Sequence, residues 1–313
     1  MRHNHLVLVA VALDLGDAQI PECDRITENA ERFAFRIFIE ERWFLSQEVL
    51  FGFIGGIGLK VLCIGDVVGS VGCAHLQKVL PRIKRDYAVD VCVVNGENSA
   101  DGNGILPQSA AAIFAAGADV ITGGNHTFRR REIYEELDRN EFLLRPANLP
   151  DGTPGRGVTV IDRGRYQVAV INLQGTVYMD SLACPFETLD KLLAEAGNPR
   201  FCIVDFHAEA TAEKKALAFY ADGRISALFG THTHVATADE QILPQGAGFI
   251  TDVGMTGPVL SCLGVKPELS IEKMRTKLPV RFAVAEGECA MDGVLFTLDD
   301  KTGHTVAVQR IRV

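Results

Sequence analysis

The chain has 313 residues, 47% of them hydrophobic and 23% charged, with a formal net charge of −9. That length and composition can bury a substantial core. The acidic balance argues against wrapping duplex nucleic acid by phosphate neutralisation, but it leaves room for a small anionic substrate held by cations, whose local charge overrides the global sign.

The first 58 residues do not read as the start of a fold. Arg2, His3 and His5 precede an apolar run at 6–13, LVLVAVAL, but Asp14 and Asp17 follow it without a small-residue cleavage site. The run is too short to span a bilayer, so the cytoplasm is the expected location. From Glu22 to Glu48 the chain carries mixed charge and no amphipathic repeat. Gly55-Gly56 codons can spell a purine-rich ribosome site and Leu59 can be a TTG start, so residues 1–58 are expected to be an upstream over-extension or an appendage. N-terminal mass analysis of the native protein checks this: a mature terminus near Met1 contradicts it.

From Leu59 onward, short β-rich runs alternate with helical segments. Strands are expected at Leu59–Ile64, Asp90–Val94, Asp119–Thr122, Val158–Ile161, Gln167–Leu173, Phe201–Phe206 and Ile225–Phe229. Helices are expected at Val71–Tyr87, Pro107–Ala116, Arg130–Asn140, Phe186–Ala196 and Thr211–Ala221. Pro107 suits a first helical turn, and Gly117 and Gly197 suit C-terminal caps. Val280–Val313 reads as strands, with a hairpin turn at Lys301-Thr302-Gly303. The alternation predicts an α/β domain over 59–313, and the closer-spaced late strands predict a second sheet in a layered sandwich. Eight cysteines are scattered without a CxxC pair, which argues against a zinc ribbon and fits free thiols in a reducing compartment.

The polar residues fall at strand ends, where α/β folds bind ligands. VLCI ends in Gly65-Asp66, VCVV in Asn95-Gly96-Glu97-Asn98, and VIT in Gly123-Gly124-Asn125-His126. CIVDF ends in His207, and ISALF in Gly230-Thr231-His232-Thr233-His234. Taken singly, the Asp is a helix cap or turn residue and each His a surface or core histidine. Five such ends in succession point to one site. Carboxylate oxygen with imidazole nitrogen suits Mn, Fe or Zn. The set is too large for one tetrahedral zinc and suits two ions roughly 3.5–4 Å apart, sharing a carboxylate and a bridging hydroxide that attacks a phosphoryl group. His75 and His304 read as structural or exposed. Gly65, Gly69 and Gly72 after the first strand suggest a nucleotide-binding turn but lack the GxGxxG spacing. An oxidoreductase or kinase-like reading built on them leaves His207, His232 and His234 unexplained.

The blocks GDVVG, NGEN, GGNH, DFHAE and GTHTH together resemble the calcineurin-like metallophosphoesterases. Glu97-Asn98 in the second block, with NLPDGTPGRG at 148–157 and TDVGMTG at 251–257, is similar to the YmdB-like branch. The resemblance covers 59–313 and implies an α/β/β/α sandwich that hydrolyses cyclic nucleotides, 2′,3′-cyclic nucleotides in particular. It implies Asp66 and His234 on a first metal, Asn125, His207 and His232 on a second, Glu97 bridging, and Asn98 beside the first metal as a ligand or phosphate contact. His126 is implied as the general acid for the leaving oxygen. The expected cofactors are two transition metals, Fe or Mn, with Zn as an alternative. The expected partner is a small phosphodiester, with no membrane and no duplex nucleic acid, and a homo-oligomer is compatible. The competing reading is a regulatory nucleotide-binding protein with slow or vestigial hydrolysis.

Overall fold

The computed structural model describes residues 58–101, 103–197 and 199–313. The expectation about residues 1–58 falls, except for Gly58, outside them. The N-terminal half runs β1 (Leu59–Ile64), β2 (Asp66–Val67), α1 (Gly69–Asp86), β3 (Val91–Asn95), α2 (Pro107–Ala116), β4 (Val120–Thr122), α3 (Tyr134–Arg139), β5 (Val158–Asp162) and β6 (Gln167–Gln174). It continues through α4 (Pro185–Glu195), β7 (Phe201–His207), α5 (Thr211–Ala221), β8 (Ala227–Thr231), β9 (Gln241–Ile242), β10 (Gly248–Ile250), β11 (Met255–Pro258), α6 (Pro267–Thr276), β12 (Cys289–Leu298) and β13 (Thr305–Arg312).

Two sheets result. One has the order β2-β11-β12-β1-β3-β4, with β13 on β12; the other has the order β5-β6-β7-β8-β10-β9. Alternation along β1 shows how the sequence makes the layers. Leu59, Val61 and Cys63 join Phe229, Ile250 and Phe296 in a core between the sheets. Leu62 and Ile64 turn the other way, onto Leu76, Leu80 and Ile113 of α1 and α2. On the far face of the second sheet, Ile171, Val204 and Phe206 pack against Leu189, Leu193 and Leu217 of α4 and α5. The product is the expected four-layer α/β/β/α sandwich.

The strands β1, β3 and β4 are parallel, as are β6, β7, β8 and β10. Their carboxyl ends therefore collect at one side of each sheet. Gly117 closes α2 at φ 115°, a left-handed cap that only glycine adopts without cost.

Three expectations are corrected. The late strands do not form the second sheet: β12 pairs antiparallel with β1, Leu59 opposite Leu298, and completes the first. The second sheet is built instead from β5 to β10. Residues 280–288 contain no named strand, and the stretch 130–140 opens with a short 3-10 turn, Arg131–Ile133, before α3. No helix among the described residues is long and apolar enough to cross a membrane.

Candidate metal centre

Each predicted strand end arrives at the same place. Asp66 lies in β2, held parallel to β11 with Met255 opposite it. Glu97 and Asn98 follow β3, Asn125 and His126 follow β4, His207 ends β7, and His232 and His234 follow β8. Asp66, Glu97 and His207 are fully buried and Asn98 nearly so. One ligand atom from each of Asp66, Glu97 and His207 lies within 4.8 Å of the others. The remaining five join through direct contacts. Asn98 Nδ2 is 2.9 Å from Glu97 Oε1, 3.4 Å from Asp66 Oδ1 and 3.2 Å from His234 Nε2. Asn125 Oδ1 and His232 Nδ1 lie 2.9 and 3.1 Å from His207 Nε2. His126 Nδ1 lies 3.0 Å from both Glu97 Oε1 and Asn98 Oδ1, with its ring about a quarter exposed.

Outer partners set the imidazole tautomers. The Thr231 hydroxyl donates to Asp205 Oδ1 at 2.7 Å, so its oxygen must accept from His207 Nδ1, 2.9 Å away. The Leu263 carbonyl, 3.0 Å from His234 Nδ1, can only accept. Glu209 Oε2 lies 3.1 Å from His232 Nε2. Each ring therefore spends its N–H outward and aims a lone pair inward. His207 Nε2 faces Glu97 Oε1 at 3.4 Å, and His234 Nε2 faces Asp66 Oδ1 at 3.5 Å. Acceptors facing acceptors in a buried pocket call for cations, and this donor set of carboxylate, amide oxygen and imidazole fits a divalent transition metal.

The electrostatics show the same demand for positive charge, which a proton on His207 meets where an ion would otherwise sit. Burial opposes the charge on Glu97, yet His207 and His126 hold its carboxyl well below the ordinary range. Burial likewise opposes the charge on Asp66, which His234 and His207 hold low. Burial disfavours imidazolium at His207, but Glu97 and Asp66 lift it to about 9. Burial and the neighbouring His207 instead push His232 down to about 4.

The backbone around the ligands is constrained. His232 and His234 sit at φ 101° and 62°, a region uncommon for non-glycine residues and one where strain marks functional sites. Buried carboxylates hold the turn: the His232 amide donates to Asp66 Oδ2 and the Thr233 amide to Asp252 Oδ2, both at 3.1 Å. Asp252 is paired with the buried Lys214 ammonium at 2.8 Å. Gly124 is required by space, since a Cβ there would lie 2.4 Å from Glu97 Oε2 and from His207 Nε2. Gly65 and Gly72 have a packing role: a Cβ would meet the Gly254 carbonyl at 2.0 Å and the Thr256 carbonyl at 2.5 Å, so they admit the β11 segment.

Sequence reasoning missed Asp205, Thr231 and Glu209. Asp205 had a signal, a carboxylate inside the apolar run CIVDF. It is buried and bonded to Thr122 and Asn95 as well as Thr231. Burial raises its pKa to about 6, which still leaves it ionised at neutral pH.

Comparison with known proteins agrees with this geometry. Residues 62–311 match the model of the family described as YmdB-like protein. The chain is 46% identical over 256 residues to the 2′,3′-cyclic-nucleotide 2′-phosphodiesterase of Bacillus subtilis (strain 168), covering 82% of this chain and 97% of that protein. A crystal structure of a novel phosphatase from Mycoplasma pneumoniae superposes with a TM-score of 0.78 at 33% identity, covering 82% of this chain and 94% of that one. A hypothetical protein from Thermus thermophilus superposes with a TM-score of 0.77 at 38% identity, covering 82% and 99%. With the four-layer sandwich and its carboxylate–imidazole cluster, these matches make the chain a member of the YmdB-like family, a hydrolase of the calcineurin-like metallophosphoesterase class.

Proposed function

We propose that this enzyme is a dinuclear-metal phosphodiesterase that opens cyclic nucleotides, with 2′,3′-cyclic nucleotides as its substrate class. The observation that carries the reading is the convergence of three imidazoles on a pocket with two buried carboxylates: His207 faces Glu97, His234 faces Asp66, and His232 Nδ1 meets His207 Nε2. The activity of the Bacillus relative supports the substrate class. In this reading Asp66, His234 and Asn98 serve one ion, Asn125, His207 and His232 serve the other, and Glu97 is shared. Asn98 serves by turning its carboxamide oxygen inward. Fe or Mn suits the mixed oxygen and nitrogen donors, with Zn as the alternative. When bound, the ions supply Lewis acidity toward the phosphoryl oxygens and a water acidic enough to act as nucleophile near neutral pH.

The chain's own groups orient the reaction and move the proton. Glu97 accepts the His126 amide at 2.7 Å and fixes the ring through Nδ1 at 3.0 Å. Nε2 is left as the atom that hands a proton to the departing ribose oxygen, a general-acid task that imidazole commonly performs. Opening the ring at the 2′ oxygen leaves a nucleoside 3′-phosphate.

The test is incubation of the metal-reconstituted chain with 2′,3′-cyclic AMP and chromatography of the product. Formation of 3′-AMP supports the reading. No hydrolysis after reconstitution with Mn, Fe or Zn overturns it. Tight nucleotide binding without turnover would favour a regulatory role instead.

A further inference from the structure

The loop after β6 is built to present one tyrosine. Strands β6 and β7 run parallel with Gln174 opposite His207, and the Gly175 amide donates to the His207 carbonyl at 2.9 Å. The loop therefore leaves the sheet beside a member of the cluster. A Cβ on Gly175 would lie 2.6 Å from the Ala208 Cβ, so the two segments are in close contact.

Buried polar groups hold both ends of the loop. Asn148 accepts the Gln174 amide at 2.9 Å and donates to the carbonyls of Gln174 and Ala183 at 2.8 and 3.0 Å. Glu213 accepts the Thr176 amide and hydroxyl at 2.9 and 3.1 Å and the Val177 amide at 3.2 Å. Met179 packs on the core, and its amide returns to the Thr176 carbonyl at 3.4 Å to close a turn. Compact loops pinned at both ends are frequently functional.

Tyr178 takes the third position of that turn at φ 63°, where glycine is favoured. Its side chain is 89% exposed, so packing does not account for a bulky residue there. It lies three Cα-to-Cα steps from Gly175, a span of at most about 11 Å, on the scale of one nucleotide. A strained, anchored and exposed aromatic beside a site is the pattern expected of a ligand contact.

We propose that Tyr178 is the platform on which the nucleobase of the substrate stacks while the phosphate occupies the cluster; this rests on the phosphodiesterase reading above. Stacking tolerates every base because every base has a π-face. The site therefore selects nucleotides over base-less cyclic phosphates and prefers purines, which present more stacking area.

The test uses the full chain, metal-reconstituted, as wild type, Tyr178→Gly and Tyr178→Phe. Steady-state kinetics are measured on 2′,3′-cyclic AMP, 2′,3′-cyclic CMP and methyl riboside 2′,3′-cyclic phosphate, which has no base. Glycine suits the turn, so Tyr178→Gly is expected to fold. It should raise KM for cyclic AMP about 5- to 150-fold, the range of a lost base stack, and raise it less for cyclic CMP. It should leave kcat and the base-less substrate unchanged, while Tyr178→Phe behaves as wild type. Unchanged KM on all three substrates overturns the proposal, as does an equal rise on all three. So does a changed oligomeric state in size-exclusion chromatography, which would make the ring an interface between copies. A wild type inert toward all three substrates overturns the phosphodiesterase reading itself, before any variant is compared.

Discussion

Gly124→Ala puts the geometry of the cluster under the most direct strain. Gly124 lies outside the left-handed region, so the substitution acts through space and not through backbone preference. The new Cβ would lie 2.4 Å from Glu97 Oε2, His207 Cδ2 and His207 Nε2. Ordinary contact begins near 3.4 Å, so these groups must retreat by about 1 Å or the turn must move. Overpacking of this kind costs about 1–3 kcal/mol of stability, and a 1 Å misplacement costs about 100-fold in rate. The assay pairs metal content after reconstitution with kcat/KM on 2′,3′-cyclic AMP and a thermal melt of the metal-free protein. The expected result is a folded protein with weakened metal retention and kcat/KM down by about two orders of magnitude. Full metal loading with activity near wild type would refute the claim that Gly124 is fixed by converging ligands.

Other perturbations separate the roles of neighbouring groups. His126→Ala is expected to keep its metals and lose about 100- to 10,000-fold in turnover, checked by elemental analysis and kcat; loss of metal would move His126 into the ligand set. Glu209→Ala removes the acceptor at His232 Nε2 and should weaken metal affinity about 10- to 100-fold in a chelator competition. Glu209 is half exposed, so the melt of the metal-free protein should barely move; a large drop there would make its role structural. Lys214→Met strands the buried Asp252 carboxylate and should cost about 3–5 kcal/mol in urea unfolding. A loss under about 1 kcal/mol, the scale of an ordinary hydrogen bond, would show that the Asp252 hydrogen bonds to the Thr233 and Gly254 amides suffice alone.

Much of the fold was legible because local and tertiary preferences agree. Leu59–Ile64, Pro107–Ala116 and Thr211–Ala221 form the elements expected of them, with the same limits. What failed depended on distant partners. The placement of β12 beside β1 joins Leu59 to Leu298, and nothing in either segment names the other. Helix α6 went unseen because it has no apolar stripe to repeat: only Ser270 is buried, while Ile271 and Met274 face outward.

The candidate site was legible for a different reason. Strand ends can be found from the apolar runs, and the polar residues that follow have no structural need to be carboxylates and imidazoles together. All eight predicted residues join one cluster. The supporting groups were harder to see. Asp205 carried a charge in an apolar strand, but Glu209 is one acidic residue among many. The left-handed φ of Tyr178 leaves no mark in composition or period.

The measurement closest to the central claim is metal stoichiometry, by elemental analysis of the full chain purified without chelator and again after reconstitution. Two Fe, Mn or Zn per chain in the wild type, with loss of both in Glu97→Ala, is the result expected of a shared carboxylate between two ions. One ion or none per wild-type chain after reconstitution, or two ions retained in Glu97→Ala, would contradict it.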